Sequence, residues 1–209
     1  VSDYWNGSQW VTSPYQYSDW YSFRTLAAGH RVVGDGTPGS CTSAALASYL
    51  ADVNVSGISF DCGPEPVEIP IQSTRTISRL LTIDGGGLVT LLGPPSGPHF
   101  QITKSGSAPA EIGLHNITLT GGKAGAVFVG QQAGLGVYDS FLVGNTSAAA
   151  GGAVVVAGPS MSGTTVTVPG GELRVERSSI SGNTSTSGAA GAISNGYITR
   201  IFDSDISLN

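Results

Sequence analysis

Aliphatic and small polar residues alternate along most of this chain in short runs, each broken after a few residues by glycine, proline or asparagine. The runs at 67–71, 78–83, 88–92 and 99–103 read as short β-strands, with GPEP, DGGG and GPPSGP as turn signals between them. The run ISFDC at 58–62 puts Ile58, Phe60 and Cys62 on one face of another strand. One window has a helical period instead. Over 41–54, Ala45, Leu46, Tyr49, Leu50 and Val53 recur at i, i+3 and i+4, and Thr42 or Ser43 can cap the start.

The second half repeats itself. The string Leu114–Gly122 aligns with Val137–Asn145, Val175–Asn183 and Ile201–Asn209. Column one holds Leu114, Val137, Val175 and Ile201, and column six holds Leu119, Leu142, Ile180 and Ile206. Column nine holds Gly122, Asn145, Asn183 and Asn209. A second strand follows the ninth column in GAVFV (125–129), GGAVVV (151–156) and GAISN (191–195). The spacings are 23, 38 and 26, and the long one contains an insertion at about 158–171 that reads as a protruding loop or hairpin. Periods of this size point to stacked coils, because one coil cannot bury its apolar face alone. The two aliphatic columns are therefore predicted interior stacks. Asn145 and Asn183 are predicted to stack at a turn, where asparagine tolerates left-handed backbone and can bond to its own copies. A two-sheet sandwich fits the first half equally well but gives no reason for the period.

Composition narrows the choice. Charged residues are 11% of the chain and glycine is 31 of 209 residues, which excludes helical bundles. Nine scattered basic residues cannot line a nucleic-acid backbone. No run is long and apolar enough for a transmembrane helix, and Val1 opens on a polar, aromatic stretch, as a processed secreted chain would. Half of the aromatic residues fall before residue 24: Tyr4, Trp5, Trp10, Tyr15, Tyr17, Trp20, Tyr21 and Phe23. They form either an arm packed on the protein's own core or one that docks on a partner. The predicted division is an arm at 1–32 and a coiled domain at 33–209.

Candidate chemistry is sparse. Cys41 and Cys62 lie 21 apart and are expected to form a disulfide in an oxidising compartment, tying the helix to the first coil, rather than to remain two buried thiols. No metal site or cofactor is expected. The register suggests an acid–base–acid ladder of Asp139, Arg177 and Asp203, with Asp205 on the same strand face as Asp203. It reads as a solvated stripe rather than a catalytic cluster. Asp84 reads as a turn residue, and His30, His99 and His115 as surface or turn histidines. N-x-S/T sequons occur at Asn6, Asn54, Asn116, Asn145 and Asn183, of which the first three are the candidate glycosylation sites.

The run GSCTSAALASYLADVN…ISFDCG…LLTIDGGG…HFQITKSG…LHNITLTGG, followed by GN and GGA repeats, is similar to CSLREA-type domains. GGAV at 151–154, GAI at 191–193 and Phe141–Asn145 resemble the repeats of polymorphic outer-membrane proteins. The resemblance covers about 33–209, and CTSAAL at 41–46 lacks the Arg and Glu of the family's name sequence. It implies a right-handed parallel β-helix with an N-terminal capping helix, on a bacterial surface, in adhesion or surface structure. The expectation is a non-catalytic, secreted or surface-exposed structural protein. Head-to-tail self-association into a fibre is expected from an uncapped last coil, with glycans or cell-surface ligands as further partners. The competing expectations are a carbohydrate-active or carbohydrate-binding β-helix, and a fragment of a longer passenger.

Overall fold

The computed structural model describes the backbone of residues 3–5 and 10–12, and residues 29–187 and 190–209. It is a parallel β-solenoid of about 7 turns with one α-helix among the described residues. No helix there is long and apolar enough to cross a membrane.

Each full coil has three faces. The first face stacks His30–Val33, Gly57–Phe60, the start of Leu80–Leu92, the start of Ala110–Thr120, Ala133–Tyr138, Glu172–Glu176 and Ile198–Phe202, all parallel. The second stacks Val67–Pro70, the ends of Leu80–Leu92 and Ala110–Thr120, Phe141–Val143, Ser179–Ser181 and Asp205–Ser207. The third stacks Arg75–Ile77, Phe100–Ile102, Val127–Val129, Val154–Val156 and Ile193–Asn195. Alternate residues of each strand point inward, so the core is a set of aliphatic columns.

Leu114, Val137, Val175 and Ile201 pair in register, as do Leu119, Leu142, Ile180 and Ile206. Six of the eight are buried. The expectation of an interior position fails for Ile201 and Ile206, which are 43% and 37% exposed. They belong to the last described coil, and no described residue packs on its outer edge.

The helix is Ser43–Ala51, and Thr42 caps it by accepting the Ala45 N–H. Leu46 and Leu50 are buried, with Ala45 and Tyr49 packed against the same core. Val53, predicted on that face, is exposed because the helix ends at Ala51. Arg79 of the next coil donates to the carbonyls of Tyr49, Leu50 and Val55, placing a cation where the helix dipole is negative. Cys41 and Cys62 form a disulfide with Cα atoms 5.6 Å apart, tying the helix start to the end of the second coil's first strand. The strand His30–Val33 straddles the domain boundary drawn at 32/33, so solenoid pairing begins slightly earlier.

The insertion folds as an antiparallel hairpin, Ser160–Ser162 with Thr165–Val168. In the N-terminal segment Asp3–Trp5 pairs antiparallel with Trp10–Thr12. The side chains of Tyr4, Trp5 and Trp10 lie outside the described residues, as do Asn6, Tyr15, Tyr17, Trp20, Tyr21 and Phe23.

Candidate functional site

The corners come first, because they hold the faces in register. Between the first and second faces, Asn116, Asp139, Arg177 and Asp203 share one column, and each has a left-handed φ between 47° and 50°. This turn takes the next residue's N–H out of the strand ladder, and a buried N–H must find another acceptor. Serine supplies it from the following coil. Ser140 Oγ accepts from Ile117 N, Ser178 Oγ from Ser140 N, and Ser204 Oγ from Ser178 N, at 3.1–3.2 Å. Between the second and third faces, Gly121, Gly144 and Gly182 have positive φ, followed by column nine. There Asn183 Oδ1 accepts from both N and Nδ2 of Asn145, and Asn209 Oδ1 accepts from both nitrogens of Asn183. Asn145 and Asn183 are fully buried, leaving no room for a glycan on either.

Asp139, Arg177 and Asp203 do share a column, but it is the left-handed corner. Arg177 donates to both carboxylate oxygens of Asp139 at 2.8 Å and also pairs with Glu176. These bonds hold the Asp139 carboxyl below its usual range, and the group is solvent-exposed. Asp203 makes no ion pair among the described residues. The corner also separates Asp203 from Asp205, which starts the next strand, so the expectation that both lie on one strand face is corrected. Asp205 accepts from Ser207 Oγ instead. Asp84 accepts from Gly86 N within its own turn and from Asn116 Nδ2. Asn116 is half-buried, and Asn54 is exposed with its amide on Asp52.

His99 is not a surface histidine. It is fully buried, and its Nε2 lies 3.0 Å from Leu91 O and 3.1 Å from Thr120 O. Burial pushes its pKa down to about 4. His30 meets Ser59 Oγ, while the His115 ring stacks on Tyr138 with centroids 4.7 Å apart.

The outer side of the first face carries the best-formed concavity described. Its outward residues fall into three columns: Glu111, Gly134 and Glu172; Gly113, Gly136, Arg174 and Arg200; and His115, Tyr138, Glu176 and Phe202. The strand Ala133–Tyr138 has glycine at two of its three outward positions, so it forms the floor of a trench between its neighbours. The cavity is about 490 Å³, closed at one side by Gln132 and by Pro169 and Gly170 at the hairpin base. The Tyr138 ring lies across Gly136, since a Cβ there would meet the ring at 2.4 Å. The Glu111 side chain leans over Gly134.

Charge in the trench is paired on one wall and open on the other. Arg174 holds Glu176 at 2.8 Å, and its guanidinium lies 4.9 Å from the Phe202 ring centroid. Arg200 lies 3.6 Å from Glu172. The Glu111 carboxylate has no hydrogen-bond or ion-pair partner among the described residues. Glu111 and Glu172 sit two coils apart, about 10 Å along the stack, with no side chain between them. The arrangement offers carboxylate acceptors facing guanidinium, amide and phenol donors across a bare floor.

The sequence reading missed this pair. The only signal was AGLGVY at 133–138, where glycine replaces polar residues at alternate outward positions.

No family model, curated protein or solved structure matches the chain.

Proposed function

We propose that this chain is a non-catalytic extracellular structural protein, a rigid solenoid of the surface-fibre or adhesin type. The observation that carries the reading is the use made of buried polar groups. Of the six buried polar residues described, five (His99, Ser140, Asn145, Ser178 and Asn183) bond one coil to the next. Sliding or splaying a coil after residue 110 breaks such a row at both corners, and stiffness along the axis is what a displayed rod needs. The disulfide supports an oxidising compartment. The repeat motifs similar to those of CSLREA-type and polymorphic outer-membrane proteins support a surface role.

Head-to-tail association belongs to this reading. The coils pair in parallel register through the columns that contain Ile201 and Ile206, so one coil edge is complementary to another. Coil edges of two copies that met in this register would make a heterologous contact, and repetition makes a filament. Light scattering after size exclusion, with electron microscopy across a concentration series, tests it. Filaments or concentration-dependent oligomers that Ile206→Lys disperses support the reading. A monomer at every concentration overturns the assembly part.

One observation favours the enzyme reading: Glu111 and Glu172 share one outward column, two coils apart on either side of Gly134. Release of new reducing ends from a polysaccharide panel, lost in Glu172→Gln, would overturn the non-catalytic reading.

A further inference from the structure

We infer that the trench over Gly134 is a binding site for a neutral oligosaccharide. The inference deepens the adhesin reading by naming the ligand class, and it rests on that reading only for the milieu in which glycans are met.

The first argument is the glycine itself. Outward positions of a strand favour β-branched or aromatic residues, and glycine there weakens the strand unless something approaches closely. Gly136 has such a reason inside the molecule, the Tyr138 ring. Gly134 lacks the left-handed φ that demands glycine, and the Glu111 side chain leans over it, with Cγ 3.1 Å from where a Cβ would stand, so any side chain at 134 would push Glu111 aside. A side chain at 134 would raise the trench floor and displace the Glu111 side chain that lies over it.

The second argument is the chemistry of the walls. The trench lining carries Glu111 and Glu172 with Arg174 and Arg200, and Arg174 is paired with Glu176 beside it. Both guanidiniums already face carboxylates, which leaves no free cation for a uronate or a sulfated sugar. Glu111, which has no ion-pair partner among the described residues, would repel such a ligand. A neutral sugar fits both walls, because each hydroxyl can donate to a carboxylate and accept from guanidinium or amide N–H. Tyr138 and Pro169 supply apolar surface for the C–H faces of the ring.

The third argument is size and shape. A volume of about 490 Å³ lies within the usual range for small-molecule sites. The trench runs along the stack over Ala110–Thr120, Ala133–Tyr138 and Glu172–Glu176, so it is elongated as an oligosaccharide is.

The test is binding of the purified chain to immobilised neutral, uronic, sulfated and amino-sugar oligosaccharides, with calorimetry on each ligand retained. Retention of neutral members is expected. Gly134→Val should lower their affinity at least about tenfold while circular dichroism and melting temperature are held or raised. Glu111→Gln should weaken neutral binding and admit uronic members. Retention of charged sugars alone overturns the ligand class, and undiminished binding by Gly134→Val together with Glu111→Gln overturns the location. No binding by any member overturns the inference and leaves the assembly measurement unaffected, so the two failures are distinguishable.

Discussion

The coils before residue 103 and those after 110 turn the same corners by different means. In the earlier part, Leu80–Leu92 bends through Asp84–Gly87, whose extra residues shift the register against the next coil. There a disulfide and a helix hold the first coils together. The later coils turn through one left-handed residue followed by serine, and through glycine followed by asparagine. The difference explains why only the second half looks repetitive. A side-chain ladder works only when the same residue recurs at the same place, whereas a glycine bulge or a disulfide leaves no period behind.

One position joins the two regimes. The column-six carbonyls of Leu119, Leu142 and Ile180 each receive a side-chain amide, from Asn145, Asn183 and Asn209. The matching carbonyl upstream, Leu91 O, is met by His99 Nε2. His99 thus takes the place of the ladder asparagine in the coil before the ladder begins. It adds a proton equilibrium that the asparagines lack.

The comparison can be broken most severely at Asn183. Asn183→Ala strips partners from Asn145 N, Asn145 Nδ2 and Leu142 O, and should cost about 4 kcal/mol by denaturant titration. Hydrogen exchange should localise the loss to the coils after 110. A variant that melts like the parent would remove the ladder as the later half's fastening.

Next in size is the disulfide. Replacing both Cys41 and Cys62 with serine should cost about 3 kcal/mol for a loop of 21 residues. The new exchange should appear at 30–62, with the Asn145–Asn183 coils still protected.

Acid should act through His99. Burial holds its pKa at about 4 in the folded chain, against 6.5 for an ordinary histidine, so the neutral form is the one the fold favours. Stability is then full above 6.5 and falls as pH drops from 6.5 towards 4. At pH 5 the loss is about 2 kcal/mol. His99→Asn keeps an amide donor without the proton equilibrium, and its stability curve should be flatter over this window. An equal slope in both proteins would assign the acid sensitivity elsewhere.

The smallest effect is expected at the left-handed corner. Arg177→Ala removes the pair with Asp139, which is solvent-exposed and screened, and the melting temperature should stay within error.

The columns Leu114, Val137, Val175 and Leu119, Leu142, Ile180 were legible because aliphatic identity survives insertions between coils. The serine ladder and His99 were not. A serine in a serine-rich chain carries no signal until a left-handed residue precedes it, and φ is invisible in the sequence. The trench was hidden for another reason. Glu111, Gly134 and Glu172 become neighbours only once spacings of 23 and 38 are folded into one register, and the larger includes the hairpin.

That hairpin has a narrow neck. Gly171 N bonds to Ala157 O at 2.9 Å, and Ala157 N bonds to Val129 O at 2.8 Å, so the chain leaves and rejoins the coil at nearly one point. The solenoid therefore does not register the length or content of what lies between. Yet the hairpin's base, Pro169 and Gly170, walls the trench. Lengthening or rewriting the hairpin would alter the neighbourhood of the trench while every coil kept its partners, giving the molecule a port through which surface chemistry can change independently of the scaffold.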